Sequence, residues 1–411
     1  MVTPPALRFY VHVPYCSSRC GYCDFTTYVP GESGRGSPAD WRGGAIAEIR
    51  GARRQWGAAA GPVSSVFFGG GTPTLLPPTD LGAVLDAIAT EFGLVDDAEV
   101  TCEANPETIT PELLDGLLAA GLTRLSLGMQ SSDAGVLAVL DRVHSPGGAV
   151  RAARLAQLAG FHRVSLDLIY GTPGETLDSW RRTVGTAVES GVSHVSAYAL
   201  KVESGTALSR KVDQGLVALP DDDHAAACYE VADDLLSGAG LPWYEISNWA
   251  IPGHECDHNL GYWAGDDWWG IGPGAHSHRS GTRWWNVKHP TRWLTEVTAG
   301  RDPRAGEETL TAEQRRTERT MLAVRLAQGF SPTDLVPARG AELARSLTQR
   351  GLVEPTVGDQ VRLTRRGRLL ADSVTLELLA WPSPLGDCRP VRGVRSERSS
   401  RIEAKDPPSA G

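Results

Sequence analysis

The chain has 411 residues, 41% apolar and 22% charged, with a formal net charge of −9. That balance excludes the basic footprint of a nucleic-acid-binding protein and matches anionic lipid surfaces poorly. Seven cysteines, an odd number in a long chain, suit a reducing compartment better than a disulfide framework. The N-terminus lacks the charge and apolar pattern of a secretory signal, and no apolar run reaches the ~18 residues of a membrane span. A cytoplasmic location is expected.

In chain order, the first apolar run, Leu7–Val13, reads as a strand and runs straight into Cys16, Cys20 and Cys23, spaced C-x3-C-x2-C. A helical pattern over Asp40–Gln55 leads to a second strand, Ser64–Phe68, followed by Gly69-Gly70-Gly71-Thr72-Pro73. The helix Pro78–Phe92 precedes a third strand, Glu99–Cys102, with Glu103 at its end. After the helix Pro111–Ala120 come the strand Arg124–Leu127, then Gln130 and Arg142. A fifth strand, Arg163–Ile169, carries Asp167 and ends in Gly171-Thr172-Pro173-Gly174; helix Leu177–Ser190 and strand Ser193–Leu200 complete the series. Apolar residues at i, i+3 and i+4 mark the helices, and strand–helix alternation means parallel strands with right-handed crossovers. The expected fold is α/β: a partial (β/α)6 barrel over residues 1–205, with a doubly wound open sheet as the alternative. The suggestive residues follow strand ends, where barrel enzymes build their sites.

Residues 206–305 are rich in tryptophan, glycine and histidine and read as an extension of the barrel. Over 306–380, helices Thr311–Gln328 and Ala341–Arg350 precede two short strands, a winged-helix-like α+β order. Residues 381–411 turn to Pro, Ser, Arg and Glu without apolar period, so a disordered tail is expected there.

Three thiolates cannot fill the four cysteine positions of an iron–sulfur cluster, so one iron would keep an open position. A zinc turn or free thiols remain open, although no fourth Cys or His stands nearby at zinc spacing. Consecutive glycines let backbone pass close to a ligand. Glu103 can accept two ribose hydroxyls, and Asp167, charged inside an apolar strand, has to face a site or a partner.

Together Tyr10-Val11-His12-Val13-Pro14-Tyr15 before Cys16, Gly21-Tyr22-Cys23-Asp24-Phe25 after it, and the Gly69–Pro73 run resemble the radical S-adenosylmethionine (SAM) superfamily. The resemblance covers roughly residues 7–375 and implies a 4Fe–4S cluster on Cys16, Cys20 and Cys23. It also implies SAM contacts at Tyr10, Tyr22, Gly70, Gly71, Thr72, Glu103, Gln130, Arg142 and Asp167. In that superfamily the open iron chelates SAM, and one electron from the cluster splits its sulfonium to a deoxyadenosyl radical. The order of these positions is similar to the branch holding oxygen-independent coproporphyrinogen III oxidases and heme chaperones. The oxidases place a fourth cysteine two residues after the third, where this chain has Phe25, and they carry a long N-terminal extension where nine residues precede Tyr10. His258-Asn259-Leu260-Gly261-Tyr262-Trp263 resembles the heme-binding segment of the chaperones, with His258 as the implied iron ligand; His254 and Cys256 would share its face if extended. The resemblance thus implies heme transfer to acceptor hemoproteins, membrane respiratory enzymes among them, with propionate decarboxylation in porphyrin biosynthesis as the alternative. Whether the chain turns over a substrate stays open. A flavodoxin or ferredoxin as electron donor and a homodimer are further implications.

Overall fold

A computed structural model describes residues 7–32, 37–57, 60–337 and 339–380. Residues 381–411, expected as a disordered tail, lie outside the described residues.

Six strands form the centre: β1 (Leu7–Val13), β2 (Val63–Gly70), β3 (Leu94–Ala104), β4 (Arg124–Gln130), β5 (Arg163–Tyr170) and β6 (His194–Ala199). Each pairs parallel with the next. β3 starts well before the expected Glu99, because Leu94 continues the ladder opposite Val63. Helices Pro38–Trp56, Pro78–Phe92, Pro111–Ala119 and Leu177–Glu189 fall where the periodicity placed them. Thr110 caps the third through an oxygen accepting Leu113 N–H, and Gly93, in a positive-φ conformation, closes the second.

The sheet continues at both edges in the order β12-β11-β10-β9-β1-β2-β3-β4-β5-β6-β8-β7. The added strands are β7 (Trp243–Glu245), β8 (Asn248–Ala250), β9 (Asp267–Ile271), β10 (His276–Arg279), β11 (Thr282–Asn286) and β12 (Arg304–Thr309). β9 runs parallel to β1, whereas β10 to β12 and β8 join antiparallel. Most tryptophans of the 206–305 stretch therefore lie in the sheet: Trp269 and Trp284 are buried and meet edge to face at 4.9 Å.

Strand alternation sets the architecture. Phe9, Val11, Val66, Phe68, Val100, Leu125, Leu127, Leu166 and Val195 point outward into the core beneath the helices. Their alternates, among them Tyr10, Phe67, Thr101, Glu103, Ser126, Asp167 and Ser196, line one cavity. A doubly wound sheet would cover both faces with helices. Here the inner face is largely polar and curls around a space, as in a partial barrel.

Beyond β12, helix Ala312–Ala323, helix Gly340–Gln349 and the antiparallel pair β13 (Val353–Pro355) and β14 (Val361–Leu363) follow. Helix Thr311–Gln328 of the sequence reading stops at Ala323, because the next residues leave to bond elsewhere: Ala327 N–H donates to Tyr244 and Phe330 N–H to Val361. Phe330, Leu343, Leu347, Val353, Val361 and Val374 form an apolar cluster of their own. Among the described residues no helix is long and apolar enough to cross a membrane.

Candidate functional site

The polar face encloses a cavity of about 530 Å³, within the range of small-molecule sites. At its C-terminal rim sit Cys16, Cys20 and Cys23, all partly exposed, on the loop that leaves β1. The Gly69–Pro73 segment is fastened to this loop: Gly71 N–H donates to Val13 O at 2.8 Å and Thr72 N–H to Tyr15 O at 2.7 Å. A Cβ on Gly71 would lie 2.5 Å from the Tyr15 carbonyl oxygen, and Gly70 has φ +107°, so both positions demand glycine.

Side chains tie the loop to the barrel. Arg142 donates through Nη1 to Cys20 Sγ at 3.3 Å and through Nη2 to Asn105 Oδ1 at 2.9 Å. Asn105 Nδ2 donates to Thr72 Oγ1 at 3.0 Å, and the Thr72 hydroxyl points at Cys16 Sγ from 3.8 Å. Two cysteines are thus joined by a relay of three side chains, Thr72 just after β2, Asn105 just after β3 and Arg142 beyond the helix Ala134–Val139 that follows β4. Asn105 stands two residues after Glu103, yet sequence alone gave it no role. Tyr22 is wedged against Val136, Leu140 and Ile169, fixing the loop between Cys20 and Cys23.

Below the rim, Glu103 Oε2 accepts the Gly70 N–H at 2.9 Å. Burial raises its pKa to about 7; the Gly70 amide opposes the shift and Asp167 adds to it. Asp167 is held by two serines from neighbouring strands, Ser126 Oγ and Ser196 Oγ, each donating at 2.8 Å. Burial raises its pKa too, against those two bonds. The expected pairing of this in-strand charge is therefore with hydroxyls, and the residue also faces the cavity. Gln130 ends β4 with φ +61°, a left-handed conformation uncommon outside glycine and a form of strain that clusters at functional sites. The Tyr10 hydroxyl lies 3.0 Å from His12 Nδ1, while His12 Nε2 bonds the Thr26 carbonyl at 2.8 Å.

His258 lines the same cavity from its opposite end, at the N-terminal end of the strands. Cys256 occupies the N-cap position of helix Asp257–Ala264 and His258 lies within it, so the extended run of His254, Cys256 and His258 does not form. Glu99, 1% exposed at the start of β3's buried half, accepts Cys256 Sγ–H, Asp257 N–H and His258 N–H and faces Arg124 and Arg163. This helix plugs the barrel floor. His258 is 1% exposed, its Nδ1 bonded to Ser65 Oγ and its Nε2 to Tyr262 OH, both at 2.9 Å. Burial pushes its pKa down to about 3, so the ring is neutral. In this arrangement neither nitrogen is free for iron.

Residues 10–187 match the radical SAM superfamily. A heme chaperone HemW of Mycobacterium tuberculosis is 52% identical over 90% of this chain and 94% of its own length. The chain belongs to the HemW family. Another HemW, from Bacillus subtilis, is 31% identical over 89% of this chain and 97% of its own. Among solved structures, "Coproporphyrinogen III oxidase (HemN) from Escherichia coli is a Radical SAM enzyme" superposes with a TM-score of 0.76 at 21% identity, covering 91% of this chain and 90% of that one. That likeness shows the fold.

Membership of the radical SAM superfamily implies a 4Fe–4S cluster and SAM. The HemW residues present here fit both. Three thiols share one rim, the position two residues beyond Cys23 holds an exposed phenylalanine, and Arg142 Nε is buried without a partner at the same rim. Gly70 and Gly71 leave open backbone beside the thiols where any side chain would collide.

Proposed function

We propose that this chain is a heme chaperone: it binds heme, carries a 4Fe–4S cluster with SAM in its barrel, and passes heme to acceptor hemoproteins. The observation that carries this is 52% identity to a HemW over nine-tenths of the chain. Phe25, 64% exposed at the cavity mouth, supports it against the oxidase alternative, whose resemblance asks for a cysteine there. Cys16, Cys20 and Cys23 would hold the cluster, and Tyr10, Tyr22, Gly70, Gly71, Thr72, Glu103, Gln130, Arg142 and Asp167 would surround SAM. Bound, the pair supplies one-electron reduction of a sulfonium. The chain's own part is to seat it: the Gly70–Thr72 backbone offers close approach, Glu103 accepts hydroxyls, and Arg142 sets the charge beside Cys20.

His258 as the heme-iron ligand belongs to the same proposal, and its geometry adds a condition. Tyr262 has to release Nε2, and the floor helix has to move, before iron can reach the ring. Transfer to membrane respiratory enzymes, reduction by a flavodoxin or ferredoxin, homodimerisation and cytoplasmic residence are parts of the same proposal. So is a division into 1–205, 206–305, 306–380 and a tail.

The test is anaerobic hemin titration of cluster-reconstituted wild type, His258→Ala and His258→Gln, beside an assay with SAM and coproporphyrinogen III. Stoichiometric heme binding that alters spectroscopically in both variants, without decarboxylation, is the expected result. Absence of heme binding overturns the chaperone, and formation of protoporphyrinogen installs the oxidase. Unchanged hemin spectra in both variants remove His258 alone.

A further inference from the structure

A second cluster of ligating side chains lies outside the cavity. Glu175 ends the Gly171–Glu175 turn that follows β5, and it is 6% exposed. Its Oε2 accepts the Gly171 N–H at 2.8 Å, whereas Oε1 is buried with no partner. Helix Asp222–Gly238 brings His224 and Cys228, one turn apart, against it. Cys228 Sγ and His224 Nε2 are 3.6 Å apart, and one ligand atom from each of the three residues lies within 4.8 Å of the others.

We propose that Glu175, His224 and Cys228 bind a zinc-class divalent cation through one oxygen, one nitrogen and one sulfur, with a fourth position left to water. Tetrahedral zinc with bonds of about 2.0–2.3 Å needs donors roughly 3.3–3.8 Å apart, so the Cys228–His224 pair at 3.6 Å already fits and Glu175 has to close by at most about 1.5 Å. The i, i+4 pair on one helix face is a spacing that metal-binding helices use. A cation also supplies the partner that the buried Oε1 lacks, and an unpartnered buried carboxylate oxygen is costly. None of the three residues lines the cavity of the cysteine loop, so the site is independent of the chaperone proposal.

Placement suggests what the metal does. The turn leaves the C-terminal end of β5 and leads into helix Leu177–Glu189, whose Trp180 indole N–H donates to the Cys228 carbonyl at 2.7 Å. A bound cation fastens this turn to helix Asp222–Gly238, and with it the end of the strand that carries Asp167.

The test is zinc content and zinc-edge X-ray absorption of the cluster-loaded full chain after equilibration with buffered zinc. One zinc per chain is expected, with one sulfur in its shell, and the same zinc is expected in a chain with Cys16, Cys20 and Cys23 all changed to Ser. Cys228→Ser should remove the sulfur, and His224→Ala and Glu175→Gln should each weaken binding by at least about tenfold, the scale set by losing even an outer partner of a metal site. His224 is only half-buried, so its variant tests the site even where Cys228→Ser fails to fold. Substoichiometric zinc in wild type, a sulfur that persists in Cys228→Ser, or unchanged affinity in His224→Ala overturns the proposal. In that event the pair is a Cys–His hydrogen bond within one helix.

Discussion

At the scale of single residues, Glu103 decides how the cavity responds to pH. With its pKa raised to about 7, the carboxylate takes up a proton as pH falls through neutrality. A group that accepts ligand hydroxyls best when ionised should then bind SAM up to about tenfold more weakly per pH unit below 7. Glu103→Gln keeps an acceptor for the Gly70 amide but loses the charge. Its SAM affinity should be about tenfold below wild type at pH 8, the worth of ~1.4 kcal/mol for a charge-assisted bond, and flat across that window. Calorimetric titration of reconstituted protein between pH 6 and 8 checks both statements. The sign for folding runs the other way: stability from this group is full below its ordinary value of 4.5 and is lost as pH rises through about 7. The cysteines, the glycine run, Glu103 and Asp167 were legible in the sequence because each breaks a local rule, such as charge in a strand or three glycines after one. His258 was legible as a motif and not as a place. Its partner Ser65 is 193 residues away, and no local pattern announces that contact.

Among elements, the floor helix Asp257–Ala264 depends on a carboxylate that is foreign to it. Cys256 provides no side-chain cap, and the Glu99 carboxylate accepts its first amides instead, favoured by the helix dipole. Glu99→Ala would strip those amides and leave Arg124, 1% exposed, without its carboxylate. Loss of one partner of a buried pair costs about 3–5 kcal/mol, so chemical denaturation should show a fall of that size. Hydrogen exchange should place the fastest-opening region at residues 254–264. The six central strands could be read because strand and helix alternate at regular intervals. Their polar inner face went unread: in Arg163-Val164-Ser165-Leu166-Asp167 only Asp167 stood out, as a charge in an apolar strand. By contrast β7 to β12 are three to six residues long, and β10 and β11 interleave Trp with Arg and His. Neither period nor length marks them, and their pairing comes from the edges of a sheet already built.

Across the whole molecule, one buried ion pair joins the C-terminal elements to the barrel. Arg368 grips Asp233 with two bonds, at 2.8 and 2.7 Å, and packs over Trp243, while Arg365 and the Trp249 indole complete the carboxylate's partners. Burial pushes the Asp233 pKa up, but Arg368 and the other donors outweigh it and hold it below the ordinary value. That stability is present above the unfolded pKa near 3.8 and vanishes in acid. Arg368→Met should cost about 3–5 kcal/mol, and adding Asp233→Asn should recover part of it, because the uncompensated charge is then gone; paired denaturation curves test this. Helices followed by a short antiparallel strand pair were readable in the last elements from turn and strand spacing, whereas this clamp, spanning 135 residues, was not. What the three cysteines hold decides what the cavity below them can do. Electron paramagnetic resonance of the anaerobically reconstituted, reduced protein measures that most directly. The expected result is a 4Fe–4S signal that shifts when SAM is added and disappears in Cys20→Ala; a preparation free of inorganic sulfide, or a signal indifferent to SAM, would contradict it.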